Sequence, residues 1–308
     1  TNSGTEANMM AIAVARCFTK RDKIMPMYGG YHGGTLYYAS GAAPVNAPFP
    51  HVLGKFNDVE ATRRMIADHA GELACVILEP MLGGGGCIAA NAEFIAMLRE
   101  ETRRHAIVLI FDEVMTSRLA PGGLSPVLGV EPDLKTLGKY VGGGMSFGAF
   151  GGRAGIMDLF DPSRPDHLPH AGTFNNNTLT MHAGLAGLTR VYTPEACIRL
   201  NERGDRLRQR INDLFMRHQA PLSAAGIGSM MTIHPLAGDI TTPEQAQKAD
   251  VRLKRLLFLH LLEEGVYIAE RGFIALSLAI SEAEEDRLLA GLESYITRYK
   301  PVLAGSTR

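Results

Sequence analysis

Apolar residues follow two kinds of pattern along the first part of the chain. Continuous apolar runs occupy 74–78 and 106–111, and residues 23–28 also have the pattern of a short strand. Such runs are typical of strands that are buried on both faces of a parallel sheet. Between the two continuous runs, residues 92–105 repeat apolar side chains at helical spacing. This alternation predicts an α/β sheet with helices on both faces.

The chain opens on a turn that leads into a helix. Ser3 is a capping residue type, Gly4 allows close approach of a ligand, and Glu6 is placed as in a capping box. Residues 6–16 are mostly Ala, Met and Ile, which favours a packed helix. Because a helix N-terminus offers free N–H groups, the turn is a candidate phosphate site. Most turns of this kind only cap a helix, so the turn alone is weak evidence.

The pattern changes near residue 190. Helical patterns and one strand pattern then follow in the order 194–219, 249–265, 273–278 and 282–299. We therefore predict a large domain over 1–193, and a linking helix with a small C-terminal α+β domain over 194–308. The first residue is not Met and no strand pattern precedes the opening turn, so we expect an N-terminal segment to be missing from the large domain.

Composition narrows the classes of function. Of 308 residues, 46% are hydrophobic and 20% are charged, as in an ordinary globular protein. A formal net charge of −1 gives no basic field for nucleic acid, and no apolar run reaches the roughly 18 residues of a membrane span. The four cysteines have no metal or redox spacing. We therefore predict no metal site and a location in the reducing cytoplasm.

A lysine and an acidic strand end supply the candidate chemistry. Lys139 lies in the glycine-rich stretch 136–144, and Asp112 and Glu113 end the apolar run at 106–111. A lysine amine can hold an aldehyde cofactor as a Schiff base, and a buried carboxylate can keep the ring nitrogen of that cofactor protonated. This is the pairing that pyridoxal phosphate enzymes need. The chemistry alone does not choose between Asp112 and Glu113, and a lysine after a turn can also be an ordinary surface residue.

Six short motifs together resemble the class III (subgroup II) aminotransferases, which are pyridoxal phosphate enzymes of fold type I. The motifs lie, in order, at 3–7, 31–33, 78–80, 111–114, 137–144 and 172–174. The resemblance implies a mostly parallel central sheet and pyridoxal 5'-phosphate as cofactor. It also implies an amino donor and a keto acid acceptor as substrates, and a homodimer with shared active sites.

The resemblance assigns four residues to the cofactor ring. Lys139 is the Schiff-base lysine, which also moves the proton, and Asp112 rather than Glu113 faces the ring nitrogen. Val114 packs on one face of the ring and Tyr31 stacks on the other. Without the motifs, Tyr31 would be an ordinary half-buried tyrosine.

Further residues are assigned to the phosphate group and to the surroundings of the site. Gly4 and Thr5 bind the phosphate, with Ser3 as a third member. Thr173 resembles the family residue that reaches the phosphate of the neighbouring subunit, and its alternative is a plain loop threonine. Two more residues are expected to support these contacts, His32 and Glu79.

Two branches of the family remain open. Residues 112–116 and 137–153 resemble glutamate-1-semialdehyde aminomutase. Four segments are more similar to β-amino-acid aminotransferases, above all those acting on β-phenylalanine, namely 115–121, 145–153, 172–177 and 271–273. Arg271 favours the second branch, because a guanidinium binds a carboxylate through two parallel hydrogen bonds and the aminomutase branch usually lacks this arginine. A solvated arginine beside a turn is the alternative. We expect transfer from a β-amino acid, aromatic ones included, to a keto acid such as 2-oxoglutarate or pyruvate.

A hypothesis from another class starts from the Gly-x-Ser-x-Gly sequence at 144–148. A serine hydrolase would place Ser146 on a sharp turn between a strand and a helix. The residues that follow, 149–153, are poor helix formers, which weighs against that class. An inactive relative is a third hypothesis, which the presence of both Lys139 and Asp112 disfavours.

Overall fold

The structure is a computed structural model that describes residues 1–305, and the chain divides into two compact units. The first unit combines residues 1–83 and 90–195, and the second combines 84–89 with the chain from Ala196 onward. The helices are α1 (Gly4–Thr19), α2 (Val59–Asp68), α3 (Ala92–Arg104), α4 (Leu124–Val127), α5 (Ala154–Met157), α6 (Thr178–Ala186), α7 (Pro194–Arg217), α8 (Pro243–Ala246), α9 (Val251–Glu263), α10 (Glu282–Arg298) and α11 (Lys300–Gly305). The strands are β1 (Lys23–Pro26), β2 (Leu73–Leu78), β3 (Met81–Leu82), β4 (Ile88–Ala89), β5 (Val108–Asp112), β6 (Leu134–Gly138), β7 (Gly148–Gly152), β8 (Ser223–Ile227), β9 (Met230–His234) and β10 (Phe273–Ala275).

A five-stranded sheet forms the centre of the first unit. Its order is β1-β2-β5-β6-β7, with the first four strands parallel and β7 antiparallel to β6. Every residue of β2 and β5 is buried, so both faces of the sheet are covered. Cys75 and Ile77 pack with Ala11, Ile12 and other residues of α1 in one core cluster. The predicted α/β class and mostly parallel sheet are confirmed.

The second unit has a small antiparallel sheet in the order β10-β9-β8. Ile274 pairs with Met231, and Ala224 pairs with Ile233. The predicted helices are present as α7, α9 and α10, and the strand predicted at 273–278 is shorter, as β10. α7 presents a buried apolar stripe that includes Leu207, Ile211, Leu214 and Phe215. No helix within residues 1–305 is long and apolar enough to cross a membrane.

Candidate active site

Three neighbouring parallel strands end at one cavity of the first unit. β2, β5 and β6 lie side by side, and their carboxyl ends deliver Glu79, Asp112 and Lys139. Ligands bind at this edge of such sheets. The cavity measures about 230 Å³ and is lined by Ser3, Gly4, Thr5, Asn8, Tyr31, His32, Gly33, Glu79, Asp112, Val114, Met115 and Lys139.

Asp112 is a buried carboxylate that is surrounded by hydrogen-bond donors. Its Oδ2 accepts from Asn8 Nδ2 at 2.8 Å and is 2.8 Å from Nδ1 of His32. Its Oδ1 accepts from the backbone N–H of Val114 at 3.0 Å and more distantly from the Thr136 hydroxyl at 3.4 Å. Since an ionised carboxylate only accepts hydrogen bonds, this surrounding is complementary to it. The contacts fix the orientation of a negative charge at the cavity wall.

Glu113 is equally buried but serves a different part of the chain. Its carboxylate accepts from the backbone N–H groups of Leu124 at 2.6 Å and Ser125 at 3.1 Å, and from the Thr116 hydroxyl at 3.3 Å. Glu113 thus ties the turn after β5 to the start of α4, and it does not line the cavity. The sequence chemistry left two carboxylates open, and the structure brings Asp112 to the cavity.

The start of α1 packs against Val114, just after the end of β5. A Cβ at Gly4 would lie 2.8 Å from both methyl carbons of Val114, so glycine is required for this approach. Ser3 caps α1, with Oγ accepting from the Glu6 N–H at 3.2 Å. The predicted capping box does not form in full, because the Glu6 carboxylate accepts from the backbone N–H of Asn2 instead.

Glu79 is the second carboxyl group of the cavity. Its Oε2 accepts from the backbone N–H of Tyr31 at 2.9 Å, and its Oε1 accepts from that of Gly83 at 3.0 Å. Burial, and secondarily the charge of Asp112, raise the pKa of Glu79 to about 7, although His32 and the two N–H groups oppose this. The hydrogen bond to Glu79 also holds the backbone of Tyr31. The Tyr31 ring packs edge-on against that of Tyr37, with 5.7 Å between the ring centroids.

Lys139 directly follows β6 in a left-handed backbone conformation. Its φ is 53°, and it begins a 3₁₀ turn over Lys139–Gly142. Its side chain is exposed and lines the cavity. A positive φ at a non-glycine residue is uncommon and concentrates at functional sites.

Two predicted site residues do not line this cavity. Thr173 is exposed in the turn before α6. Arg271 belongs to the second unit, where its guanidinium lies 4.7 Å from the centre of the Phe273 ring. Gly272 shapes that turn with a φ of +87°, and a Cβ there would collide with the carbonyl oxygen of Ile233.

The structure also brings residues to the site that the sequence interpretation did not single out. Asn8, Gly33 and Met115 line the cavity. Thr136 lies behind it, with its hydroxyl near the Asp112 carboxylate. The available signal for Asn8 was its position one helical turn after Gly4, which places both residues on one face of α1. A Cβ at Gly33 would overlap the Thr5 side chain, so this glycine makes room for a residue of the predicted phosphate turn.

The serine hydrolase hypothesis is wrong on local geometry. Ser146 follows the 3₁₀ turn and precedes β7, whereas a nucleophile elbow requires a strand before the serine and a helix directly after it. Its side chain is exposed and does not line the cavity.

Comparison with known proteins identifies the family. A family model described as aminotransferase class-III matches residues 1–296. The chain belongs to the class III aminotransferases. This class III aminotransferase is 50% identical over 296 residues to the β-phenylalanine transaminase of Variovorax paradoxus, a match that covers 96% of the chain and 68% of the relative. A glutamate-1-semialdehyde 2,1-aminomutase of Akkermansia muciniphila is 38% identical over 316 residues, covering 96% of the chain and 73% of the relative.

Solved structures agree with this assignment. The crystal structure of a β-phenylalanine aminotransferase from Variovorax paradoxus has a TM-score of 0.96 and 49% identity, and covers 98% of this chain and 70% of that one. A transaminase structure with pyridoxal phosphate bound has a TM-score of 0.86 and 30% identity, and covers 100% of this chain and 74% of that one. The predicted family, fold and cofactor are confirmed: this class III aminotransferase uses pyridoxal 5'-phosphate.

The cavity residues of the class III aminotransferase fit this cofactor. The N-terminus of α1 is suited to a phosphate. Gly4 and Gly33 lie beside it at positions where a Cβ would collide with Val114 and with Thr5, respectively. The donors around Asp112 are complementary to a carboxylate, as a protonated ring nitrogen requires of its partner. An amine for the aldehyde is present on Lys139, at the same cavity.

Proposed function

We propose that the enzyme transfers the amino group of a β-amino acid, aromatic ones included, to a keto acid such as 2-oxoglutarate or pyruvate. The observation that carries this proposal is the 50% identity to a β-phenylalanine transaminase over 96% of the chain. The meeting of Lys139 and Asp112 at one cavity supports it, because both partners of the cofactor chemistry are intact.

Each residue of the cavity has a proposed task. When bound, pyridoxal phosphate supplies an electron sink for the carbon that loses its proton. Asp112 holds a negative charge at the ring nitrogen, which favours the protonated ring. Lys139 Nζ binds the aldehyde and moves the proton at the amine-bearing carbon. Val114 and Tyr31 orient the ring between them and exclude water.

The phosphate is proposed to lie at the start of α1. Gly4 and Thr5 offer backbone N–H groups there, and Thr5 adds a hydroxyl. Ser3 Oγ accepts from the Glu6 N–H, which leaves the hydroxyl hydrogen of Ser3 free to donate. His32 and Glu79 support the site from behind, through Asp112 and through the backbone of Tyr31.

The carboxylate of the donor is proposed to bind to Arg271. The arginine is exposed, and its guanidinium lies against the Phe273 ring beside the turn. A planar fork can bind a carboxylate with two hydrogen bonds, which an amine without a carboxylate would not use.

A homodimer with shared active sites is part of the proposal. The segment that follows Thr173 exposes large apolar side chains, with relative exposures of 69% at Phe174, 68% at Leu179, 63% at Leu185 and 59% at Val191. Clusters of this kind mark interaction surfaces, and a symmetric dimer would cover them. Thr173 would then reach the phosphate bound to the partner. The proposed compartment is the cytoplasm, which suits four cysteines that are all thiols.

A donor panel tests the function. The purified holoenzyme is incubated with β-phenylalanine, aliphatic β-amino acids and α-amino acids, with 2-oxoglutarate or pyruvate as acceptor, and the amino product of the acceptor is measured. β-Amino acids are expected to give the highest kcat/KM. Conversion of glutamate 1-semialdehyde without any added acceptor, together with inactivity on every β-amino acid, would favour the aminomutase instead.

A further inference from the structure

A buried amide connects α1 to the carboxylate of the cavity. Asn8 is 1% exposed. Its Nδ2 donates to Asp112 Oδ2 at 2.8 Å and to the carbonyl oxygen of His32 at 3.0 Å. Its Oδ1 accepts from the Thr136 hydroxyl at 2.6 Å. The amide therefore links three segments of the chain, those that contain His32, Asp112 and Thr136.

The network determines which way the amide points. Turned over, Asn8 would set its oxygen against two acceptors, the Asp112 carboxylate and the His32 carbonyl. The Thr136 hydroxyl has a single hydrogen and donates it to Asn8 Oδ1 at 2.6 Å, in preference to Asp112 Oδ1 at 3.4 Å. The hydrogen bonds thus run in one direction, from Thr136 through Asn8 to Asp112.

The position of Asn8 depends on the close approach of α1. Gly4 brings the first turn of the helix against Val114, where a side chain would collide. Asn8 follows one turn later on the same face, and so it arrives beside Asp112. Thr136 lies on β6, and its Cα is in register with the Cα of Asp112 on β5. Helix and sheet are thereby joined at the carboxylate by side chains that are all buried.

We propose that Asn8 is a positioning residue for Asp112, and that Thr136 orients Asn8 for this task. The inference rests on the proposed contact between Asp112 and the ring nitrogen. Without the amide, Oδ2 keeps only His32 as a donor, and the His32 carbonyl also loses its partner. The carboxylate can then turn or shift, which weakens the electrostatic contact that it makes with the cofactor.

The experiment compares apoenzyme variants by their affinity for pyridoxal phosphate. Asn8→Ala removes the whole amide. Thr136→Val removes only the hydroxyl, and Thr136→Ser restores it. Asn201→Ala is the matched control, because Asn201 is also a buried helical asparagine, whose Nδ2 donates to the Cys197 carbonyl and whose Oδ1 accepts from the Ser229 N–H.

We expect Asn8→Ala to bind pyridoxal phosphate about 10-fold or more weakly, as for loss of a hydrogen bond to a buried charge. Its kcat should fall with little change in the KM of the donor, and the pH dependence of the visible absorbance of the bound cofactor should shift. Thr136→Val should change these quantities in the same direction by a smaller factor, and Thr136→Ser should recover them. Asn201→Ala should lower the Tm and leave cofactor affinity and absorbance unchanged.

Two results would overturn the proposal. One is an Asn8→Ala enzyme with wild-type affinity and absorbance and only a lower Tm, which would make Asn8 structural. The other is equal loss in Thr136→Val and Thr136→Ser, which would remove the orienting role of the hydroxyl. Should Asn8→Ala not fold, the Thr136 pair decides. Failure of the proposed β-amino acid activity would appear in the wild type and would leave the affinity comparison intact.

Discussion

Replacing Asp112 with asparagine would keep the shape of the side chain and remove its charge. Its near contacts all come from donors: Asn8 and His32 at Oδ2, and the Val114 N–H at Oδ1. If the new amide nitrogen took the place of Oδ2, it would face two donors. If it took the place of Oδ1, it would face one close donor. We therefore expect the amide oxygen at Oδ2 and an unfavourable contact between the new nitrogen and the Val114 N–H.

Two separate losses follow from this geometry. The donor that is left facing another donor should lower the free energy of unfolding of the apoenzyme by about 1–3 kcal/mol. Removing the charge beside the ring nitrogen should lower kcat by about 10²-fold or more, since a key electrostatic partner is lost. That factor corresponds to about 2.7 kcal/mol or more in activation free energy. The catalytic loss is therefore measurable apart from the loss of stability.

The control for Asp112→Asn lies one residue along the chain. Glu113→Gln removes a charge of equal burial, whose partners are the backbone N–H groups of Leu124 and Ser125. Denaturant unfolding of both apoenzymes and kcat for β-phenylalanine with 2-oxoglutarate would be measured side by side. Glu113→Gln should lose stability and retain most of its kcat per bound cofactor. The reasoning fails if Asp112→Asn keeps the wild-type rate while Glu113→Gln is inactive.

Three further changes test other parts of the site. Lys139→Ala should abolish turnover and still bind some pyridoxal phosphate through the phosphate contacts; normal transamination by the purified variant would refute the role of Lys139. Glu79→Gln tests the raised pKa, about 7 against a reference of 4.5: between these values the folded apoenzyme holds a proton that the unfolded chain has lost, so stability falls as pH rises. Glu79→Gln cannot titrate and should lack this loss of stability, so its free energy of unfolding should rise relative to wild type from about pH 5 to about pH 8. A difference between the two proteins that stays constant with pH would contradict the raised pKa of Glu79. Arg271→Ala should cost roughly 1.5–3 kcal/mol in kcat/KM for a β-amino acid and almost nothing for its decarboxylated amine, and Arg271→Lys should not restore the loss; equal losses for both substrates would mean a structural role.

The parallel core of the fold was predictable, and the antiparallel strands β7 and β8 were not. The runs at 74–78 and 106–111 correspond closely to β2 and β5, because strands buried on both faces need continuous apolar sequence. β7 is Gly-Ala-Phe-Gly-Gly and β8 is Ser-Ala-Ala-Gly-Ile, sequences without such a run. Their strand conformation is set by pairing with β6 and β9, and this pairing is a long-range property that local pattern does not report.

For the site, the motifs predicted which residues meet but not what holds them. Nine predicted residues line one cavity, namely Ser3, Gly4, Thr5, Tyr31, His32, Glu79, Asp112, Val114 and Lys139. The hydrogen bonds of Asn8 and Thr136 depend on the angle at which α1 crosses the sheet, which is a three-dimensional quantity. The spacing of one helical turn places Asn8 on the same face of α1 as Gly4, but it does not say which groups the amide contacts. Local sequence likewise does not separate Asp112 from Glu113, because only the different paths of the backbone around them do so.

The cavity holds two buried carboxyl groups whose surroundings differ, and this difference divides their tasks. Asp112 receives side-chain donors from α1 and from His32, whereas Glu79 accepts from two backbone N–H groups. Burial dominates at Glu79 and raises its pKa to about 7, and the charge of Asp112 adds to that rise. Glu79 therefore exchanges a proton near neutral pH, which is the range in which acid–base chemistry at the cavity would operate. With the protonated ring bound beside Asp112 as proposed, its positive charge would oppose the rise in the pKa of Glu79, and cofactor binding would then be coupled to the proton on Glu79. The donors collected around Asp112 therefore orient one carboxyl group of the cavity, whereas the proton on the other, Glu79, responds to burial and to the charges beside it.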